Sequence, residues 1–437
     1  MKSKGEKTYI KAKRLIPGGS QLLSKRPEMF LPENWPNYYS RANGFHVWDL
    51  DNNRFSDMSI MGIGTCSLGY ANPAVNRAVI QAVSNGSMCT LNSIEEVLLA
   101  EKLIALHPGM EMVRFSRTGG EANAIAIRIA RAASAKQRVA VCGYHGWHDW
   151  YLSVNHTNSD GLDRLLLPGL HPNGVPEELK ETTLPFEYGN IAQLRNIVTK
   201  FGSTLGCICI EVQRSHAPNI EFLTEVRKLA TDINAVLIFD EISSGFRLSV
   251  GGAYKLYGIT PDIVVLGKAL GNGYAISAIL GKRSVMEAAQ DSFISSSYWS
   301  ERTGFAAALE TINVFEKENI VQRLMNLGTL FRATVEASFA DGGLHVTLDG
   351  IHTVPLLTIH ENDPLLVKTV LTQEMLSRGF LASTVVYLSS AHTKDIILHY
   401  SDNIREVSGL IKRAIHEGTL KSLLKGPVCH STFGRLA

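Results

Sequence analysis

One apolar run, beginning at Ala235, ends in Phe239-Asp240-Glu241, and a second, Ile263-Val264-Val265-Leu266, ends in Gly267-Lys268. Continuous apolar strands are buried on both faces, as in parallel α/β sheets, whose working groups stand at the strand ends. Two such strands deliver a carboxylate, Asp240, and an amine, Lys268, to nearly the same sheet edge. As a bare pair they read as a salt bridge. The alternative is carbonyl chemistry: a lysine amine attacks an aldehyde when it is partly neutral, which requires a site that disfavours its charged form.

The flanking residues favour the second reading. Asp240-Glu241-Ile242-Ser243-Ser244-Gly245-Phe246-Arg247, Pro261-Asp262-Ile263 and Gly267-Lys268-Ala269-Leu270-Gly271-Asn272-Gly273 resemble the signature of class III aminotransferases. Within that class the chain is most similar to the glutamate-1-semialdehyde aminomutase branch, from Pro17-Gly18-Gly19 to Ser389-Ser390-Ala391-His392-Thr393. The resemblance implies pyridoxal 5'-phosphate as cofactor, Lys268 as its Schiff-base lysine and proton shuttle, and Asp240 as partner of the pyridine nitrogen. That ring is an electron sink only while its nitrogen stays protonated. It also implies the α/β architecture of fold type I, aspartate aminotransferase-like. A large domain with a mainly parallel seven-stranded sheet would carry a smaller α/β domain.

The cofactor's phosphate needs an anion site. Thr118-Gly119-Gly120-Glu121-Ala122-Asn123 follows a strand expected over 112–115 and opens a helix expected over 122–133. Glycines there let backbone N–H groups approach an anion, and the helix dipole favours negative charge. Against the Ser-Gly-Thr-Glu-Ala of the family, Thr118 stands at the serine and Gly120 at the threonine, so one hydroxyl contact is moved or lost. After a strand over 138–142 comes Gly143-Tyr144-His145-Gly146-Trp147. The resemblance lays Tyr144 on one face of the pyridine ring, where offset stacking orients a planar group, with His145 next to it and Ile242 on the opposite face. A plain core aromatic is the alternative for Tyr144. Glu211, ending a strand over 206–210, stands where the family has a carboxylate above the site. It would gate or balance an arginine, or hold the cofactor's hydroxyl network.

Ser297 stands where the family places a threonine reaching the phosphate of the neighbouring subunit's cofactor, and serine can still donate that bond. The implication is a homodimer with shared active sites. Lys25 and Arg26 lie near the position of an arginine that holds the substrate carboxylate, although Gln21-Leu22-Leu23 replaces the usual Asn-Ser-Pro. A solvated basic pair on a loop is the alternative there.

The rest of the chain must position these groups. Its 437 residues, 45% apolar and 19% charged, describe a globular protein of two lobes with a large core. A net charge of +2 without basic clusters argues against nucleic-acid and membrane partners. The polar start, Met1-Lys2-Ser3-Lys4, lacks a signal-peptide core, and no run is long enough to span a bilayer. These features suggest a cytoplasmic protein. Cys207 and Cys209 share a strand face, but no second pair completes a metal site, so none is expected.

The sequence divides into an arm and hairpin over 1–55 belonging to the small domain, a large domain over 56–315, and a C-terminal small domain over 316–437. In the last, strands are expected at 346–348, 354–359 and 396–399, and helices at 363–379 and 404–416. The segment 150–185 reads as a long loop. Its Asn155, His156, Asn158, Asp160, His171 and Asn173 suit a polyhydroxylated substrate, with a merely solvated loop as the equal alternative. The function expected is transfer of an amino group from a donor to an aldehyde or ketone, including one of sugar type. The alternatives are aminomutase chemistry on a single molecule, and a non-enzymatic relative, which would be expected to lack the lysine or the aspartate.

Overall fold

The structure, a computed structural model, describes residues 2–157, 161–163, 165, 169, 171–213 and 218–432. Three strands come first: β1 (Tyr39–Asn43), β2 (His46–Asp49) and β3 (Arg54–Met58). Seven follow: β4 (Met112–Ser116), β5 (Arg138–Cys142), β6 (Thr183–Pro185), β7 (Leu205–Glu211), β8 (Val236–Asp240), β9 (Ile263–Leu266) and β10 (Ser277–Gly281). The last three are β11 (Val346–Ile351), β12 (Val354–Ile359) and β13 (Phe380–Ala382).

The chain forms two compact units, Pro73–Val321 and the combination of Met1–Asn72 with Gln322–Ala437. The first holds a seven-stranded sheet in the order β4-β10-β9-β8-β7-β5-β6. Strands β6, β5, β7, β8 and β9 run parallel, and β10 is antiparallel to both its neighbours. Every residue of β7, β8, β9 and β10 is buried, which explains runs of apolar residues without alternation. The helix Gly119–Ser134 lays Ala122, Ile125, Ala126, Ile129 and Ala130 against Val139, Val141, Cys207, Cys209 and Ile238. Each large side chain removed from water there contributes about 1.5–3 kcal/mol.

In the second unit β1-β2-β3-β13 form a sheet and β11-β12 a hairpin. Its core gathers Phe331, Phe339, Val370, Met375, Phe380, Tyr400 and Ile404. The unit boundaries fall later than the 55/56 and 315/316 expected. Strand β3 pairs β2 and β13, and Tyr70 bridges back to Gly44, so the N-terminal segment stays with its sheet as far as Asn72. Phe315 is buried in the helix Arg302–Lys317, which keeps that helix whole within the other unit.

Two further expectations are corrected. Residues 396–399 are not a strand but lie near the start of the helix Lys394–His416, where the Thr393 side chain caps the Ile396 N–H. The apolar pair there belongs to a 3.6-residue stripe that includes Ile397, Ile404 and Ile411. The segment 150–185 contains the helical turns Asp149–Leu152 and Val154–Thr157, and the edge strand β6. Trp150, Tyr151 and Val154 join the core. Asn155 Oδ1 accepts from Leu162 N–H and His156 Nε2 donates to the Val175 carbonyl. Asn158 and Asp160 lie outside the described residues, while His171 and Asn173 are exposed.

Candidate active site

Asp240 closes β8 opposite Val265 of β9, three positions before Lys268. Register therefore puts the acid and the amine at one edge of the sheet. The Asp240 side chain is 2% exposed. Its Oδ2 accepts from Asn123 Nδ2 at 2.7 Å and His145 Nδ1 at 2.8 Å, while Oδ1 accepts from Ile242 N–H at 3.0 Å. Three donors from three elements fix the carboxylate in one orientation. The other nitrogen of His145, Nε2, faces the Cys142 carbonyl at 3.2 Å, so this fully buried ring is also held at both ends.

Strand β9 stops at Leu266 with its apolar run, so Lys268 lies two residues beyond the strand end. Lys268 opens a short 3₁₀ turn, Lys268–Gly271, with φ of +43°. A left-handed conformation costs a non-glycine residue on the order of 1–2 kcal/mol, and such outliers concentrate where geometry serves a site. Lys268 Nζ donates to Ser243 Oγ at 2.8 Å.

The Thr118-Gly119-Gly120 turn starts the helix Gly119–Ser134. Thr118 and Glu121 form a reciprocal capping box: Thr118 Oγ1 accepts Glu121 N–H, and Glu121 Oε2 accepts Thr118 N–H. The Thr118 hydroxyl is thereby directed to Glu121 rather than outward. The amides of Gly119 and Gly120 belong to the first turn, where no intrahelical acceptor exists. A Cβ on Gly119 would come within 2.6 Å of Ile242 Cδ1, so Ile242 is packed onto the turn and only glycine fits beneath it.

Tyr144 is half-buried, with its ring edge-on to Tyr151 at 6.0 Å. Its N–H donates to Glu211 Oε2 at 2.9 Å. Gly143 has φ of +112°, and a Cβ there would lie 2.6 Å from the same oxygen. Glu211 thus sets the backbone that carries Tyr144. Ser297 is exposed at the start of the turn Ser297–Ser300. Arg117 donates to the Tyr298, Ala275 and Glu301 carbonyls, and Trp299 Nε1 donates to Glu121 Oε1, so that turn is tied to the start of the Gly119–Ser134 helix.

Lys25 and Arg26 belong to the other unit. Lys25 is exposed, whereas Arg26 is buried with its guanidinium against Gly18. The solvated-pair alternative therefore fails for Arg26. The six cysteines are free, and no group of three or more His, Cys, Asp or Glu side chains suited to a metal occurs among the described residues.

Two site residues escape a sequence reading. Asn123 carries a signal, being a polar residue on the helix stripe Ala122, Asn123, Ala126, Ala130 that is otherwise apolar. Ser243 carries none, because its contact depends on how the turn after β8 folds back toward Lys268.

The sequence pattern of the family described as Aminotransferase class-III matches residues 32–342. A 3-aminobutyryl-CoA aminotransferase of Cloacimonas acidaminovorans is 32% identical over 93% of this chain and 97% of its own. A glutamate-1-semialdehyde 2,1-aminomutase of Methanococcoides burtonii is 31% identical over 80% of this chain and 82% of its own. A 2'-deamino-2'-hydroxyneamine transaminase of Streptomyces kanamyceticus is 31% identical over 72% of this chain and 76% of its own.

Proposed function

The chain belongs to the class-III aminotransferase family, and from that premise we propose that Asp240, Lys268 and the Gly119-Gly120 turn form its amino-transfer site. Its cofactor is pyridoxal 5'-phosphate and its architecture is fold type I. The residues fit that group. Asn123 Oδ1 is buried beside Asp240 without a partner among the described residues, the first-turn amides of the glycine pair are open to an anion, and a lysine amine stands at the same sheet edge. Bound there, the cofactor supplies an electron sink that carries the amino group from donor to acceptor.

The protein's own side chains divide the remaining work. Asp240 holds a proton on the ring nitrogen, and Asn123 and His145 keep its carboxylate aimed. Lys268 Nζ accepts and returns the substrate proton, with Ser243 Oγ as its resting partner. Tyr144 and Ile242 flank the ring, and Glu211 fixes Tyr144 through its backbone. Ser297 reaches the phosphate bound by a second copy, with Thr118 contributing only through the helix cap. Exposed Ile80, Val83, Leu91, Ile94 and Tyr298 support a homodimeric reading, since monomers rarely leave so many large apolar groups uncovered. No helix among the described residues is long and apolar enough to cross a membrane, which suits a cytoplasmic enzyme.

The observation that carries this reading is the β8–β9 register, which brings acid and amine to one edge. The acceptor is an aldehyde or ketone, and sugar-type acceptors are included because the Streptomyces relative is a 2'-deamino-2'-hydroxyneamine transaminase. The aminomutase relative favours a second reading, in which both half-reactions occur on one molecule. Product analysis separates them. The transaminase reading expects conversion to depend on a separate amino donor and to yield its keto product. Full conversion of a semialdehyde without a donor would install the mutase instead.

A further inference from the structure

The phosphate turn of this chain is short of hydroxyl donors. Gly120 has no side chain, and the Thr118 hydroxyl is engaged with Glu121. The space above Gly120 is nevertheless filled. A Cβ there would come within 3.1 Å of His148 Cε1 and 3.2 Å of His148 Nδ1, so the imidazole occupies the volume a larger side chain at 120 would need. The turn carrying His148 is seated on the same backbone, since a Cβ on Gly146 would meet Gly120 Cα at 2.7 Å. The ring stacks on exposed Trp147, with centroids 4.6 Å apart at 25°.

His148 Nδ1 is buried and has no hydrogen-bond partner among the described residues. A buried polar atom left unpaired costs stability and calls for a partner. Burial lowers the His148 pKa below its ordinary value, and the charged groups that face the ring, Glu121 from the helix beneath and Asp149 next in its own turn, only partly oppose that. An anion at the open amides of Gly119 and Gly120 would act in the same direction as those two carboxylates.

We propose that His148 is a ligand of the cofactor's phosphate, supplying from a neighbouring turn the hydrogen bond that Gly120 cannot. The inference rests on the amino-transfer reading of the site. It makes Gly120 and His148 a complementary pair: removing the side chain at 120 admits the ring, and the ring replaces the donor.

Titrating the cofactor-free protein with pyridoxal 5'-phosphate and, separately, with unphosphorylated pyridoxal tests it without reference to turnover. His148→Ala is expected to weaken pyridoxal phosphate about 10- to 100-fold, the range for losing one hydrogen bond to a charged group, and to leave pyridoxal unchanged. Adding Gly120→Thr to His148→Ala should restore most of the loss by placing a hydroxyl in the vacated volume. Gly120→Thr alone should weaken binding, because the ring is in the way. If His148→Ala does not fold, His148→Gln, which keeps a donor of similar reach, should lose less affinity, again only for the phosphorylated form. A loss shared equally by both ligands, or none in either variant, overturns the proposal for His148. A wild-type protein that fails to distinguish pyridoxal phosphate from pyridoxal overturns the reading of the glycine turn itself.

Discussion

Asp240 and Glu241 leave the same strand on opposite sides, and the two sides use their buried polar groups differently. On the Asp240 side the carboxylate is aimed by Asn123 and His145, yet Asn123 Oδ1 and His148 Nδ1 are left without partners among the described residues. On the Glu241 side the carboxylate accepts the Ser244 hydroxyl and the Ala253 and Tyr254 amides, all from the loop that follows it. His107 accepts the Gly252 amide nearby, and Lys255 Nζ donates to the Leu106 and Val250 carbonyls. Burial raises the Glu241 pKa and pulls His107 down to about 4. Perturbed titration often marks function, but here those strongly shifted groups belong to the side that braces a loop. The Tyr254 hydroxyl on that side is also buried without a partner among the described residues, so the two sides differ in what their carboxylates bind rather than in titration or unpaired atoms alone.

The contrast breaks most visibly at Asp240. Asp240→Asn keeps the volume and removes the charge; kcat should fall about 100- to 1,000-fold, the scale of one electrostatic stabiliser, with the melting temperature little changed. Steady-state kinetics alongside a thermal melt checks this, and a kcat within tenfold of wild type would remove Asp240 from the chemistry. Glu241→Ala should do the reverse. It strands three buried donors and should cost about 3 kcal/mol of stability, read from denaturant unfolding, while the folded fraction keeps its cofactor affinity.

The smallest expected effect is acid sensitivity on the Glu241 side. The neutral His107 ring accepts the Gly252 amide, and its folded pKa of about 4 lies below the ordinary 6.5. The unfolded chain therefore binds the proton first, and stability present above pH 6.5 is lost progressively as pH falls toward 4. His107→Gln should flatten that part of a stability–pH profile. An unchanged slope would mean that other groups set it.

Much of this was legible in the sequence because of one physical fact. Strands buried on both faces must be apolar throughout, so β8 and β9 announce themselves, and the first charged residue after each marks the sheet edge. The helix after β4 was legible, but it starts at Gly119 rather than at the expected 122, because the glycine pair masks a first turn that the Thr118–Glu121 capping box holds. The segment 150–185 was not legible: its turns are too short for periodicity, and Trp150, Tyr151 and Val154 are buried by long-range packing that local composition does not encode. Residues 396–399 misled because two adjacent isoleucines suit a strand as well as a helix stripe. Ser243 and His148 were silent for a third reason, since both act through contacts set by where separate turns fold.

The central claim is that Lys268 bonds the cofactor's aldehyde at the tip of β9. Borohydride reduction of the cofactor-loaded protein, followed by peptide mass mapping, tests it most directly. The pyridoxyl mass should appear on the peptide containing Lys268 and vanish in Lys268→Ala. Labelling of Lys255 or Lys282 in its place, or a visible cofactor band that survives Lys268→Ala, would contradict the account.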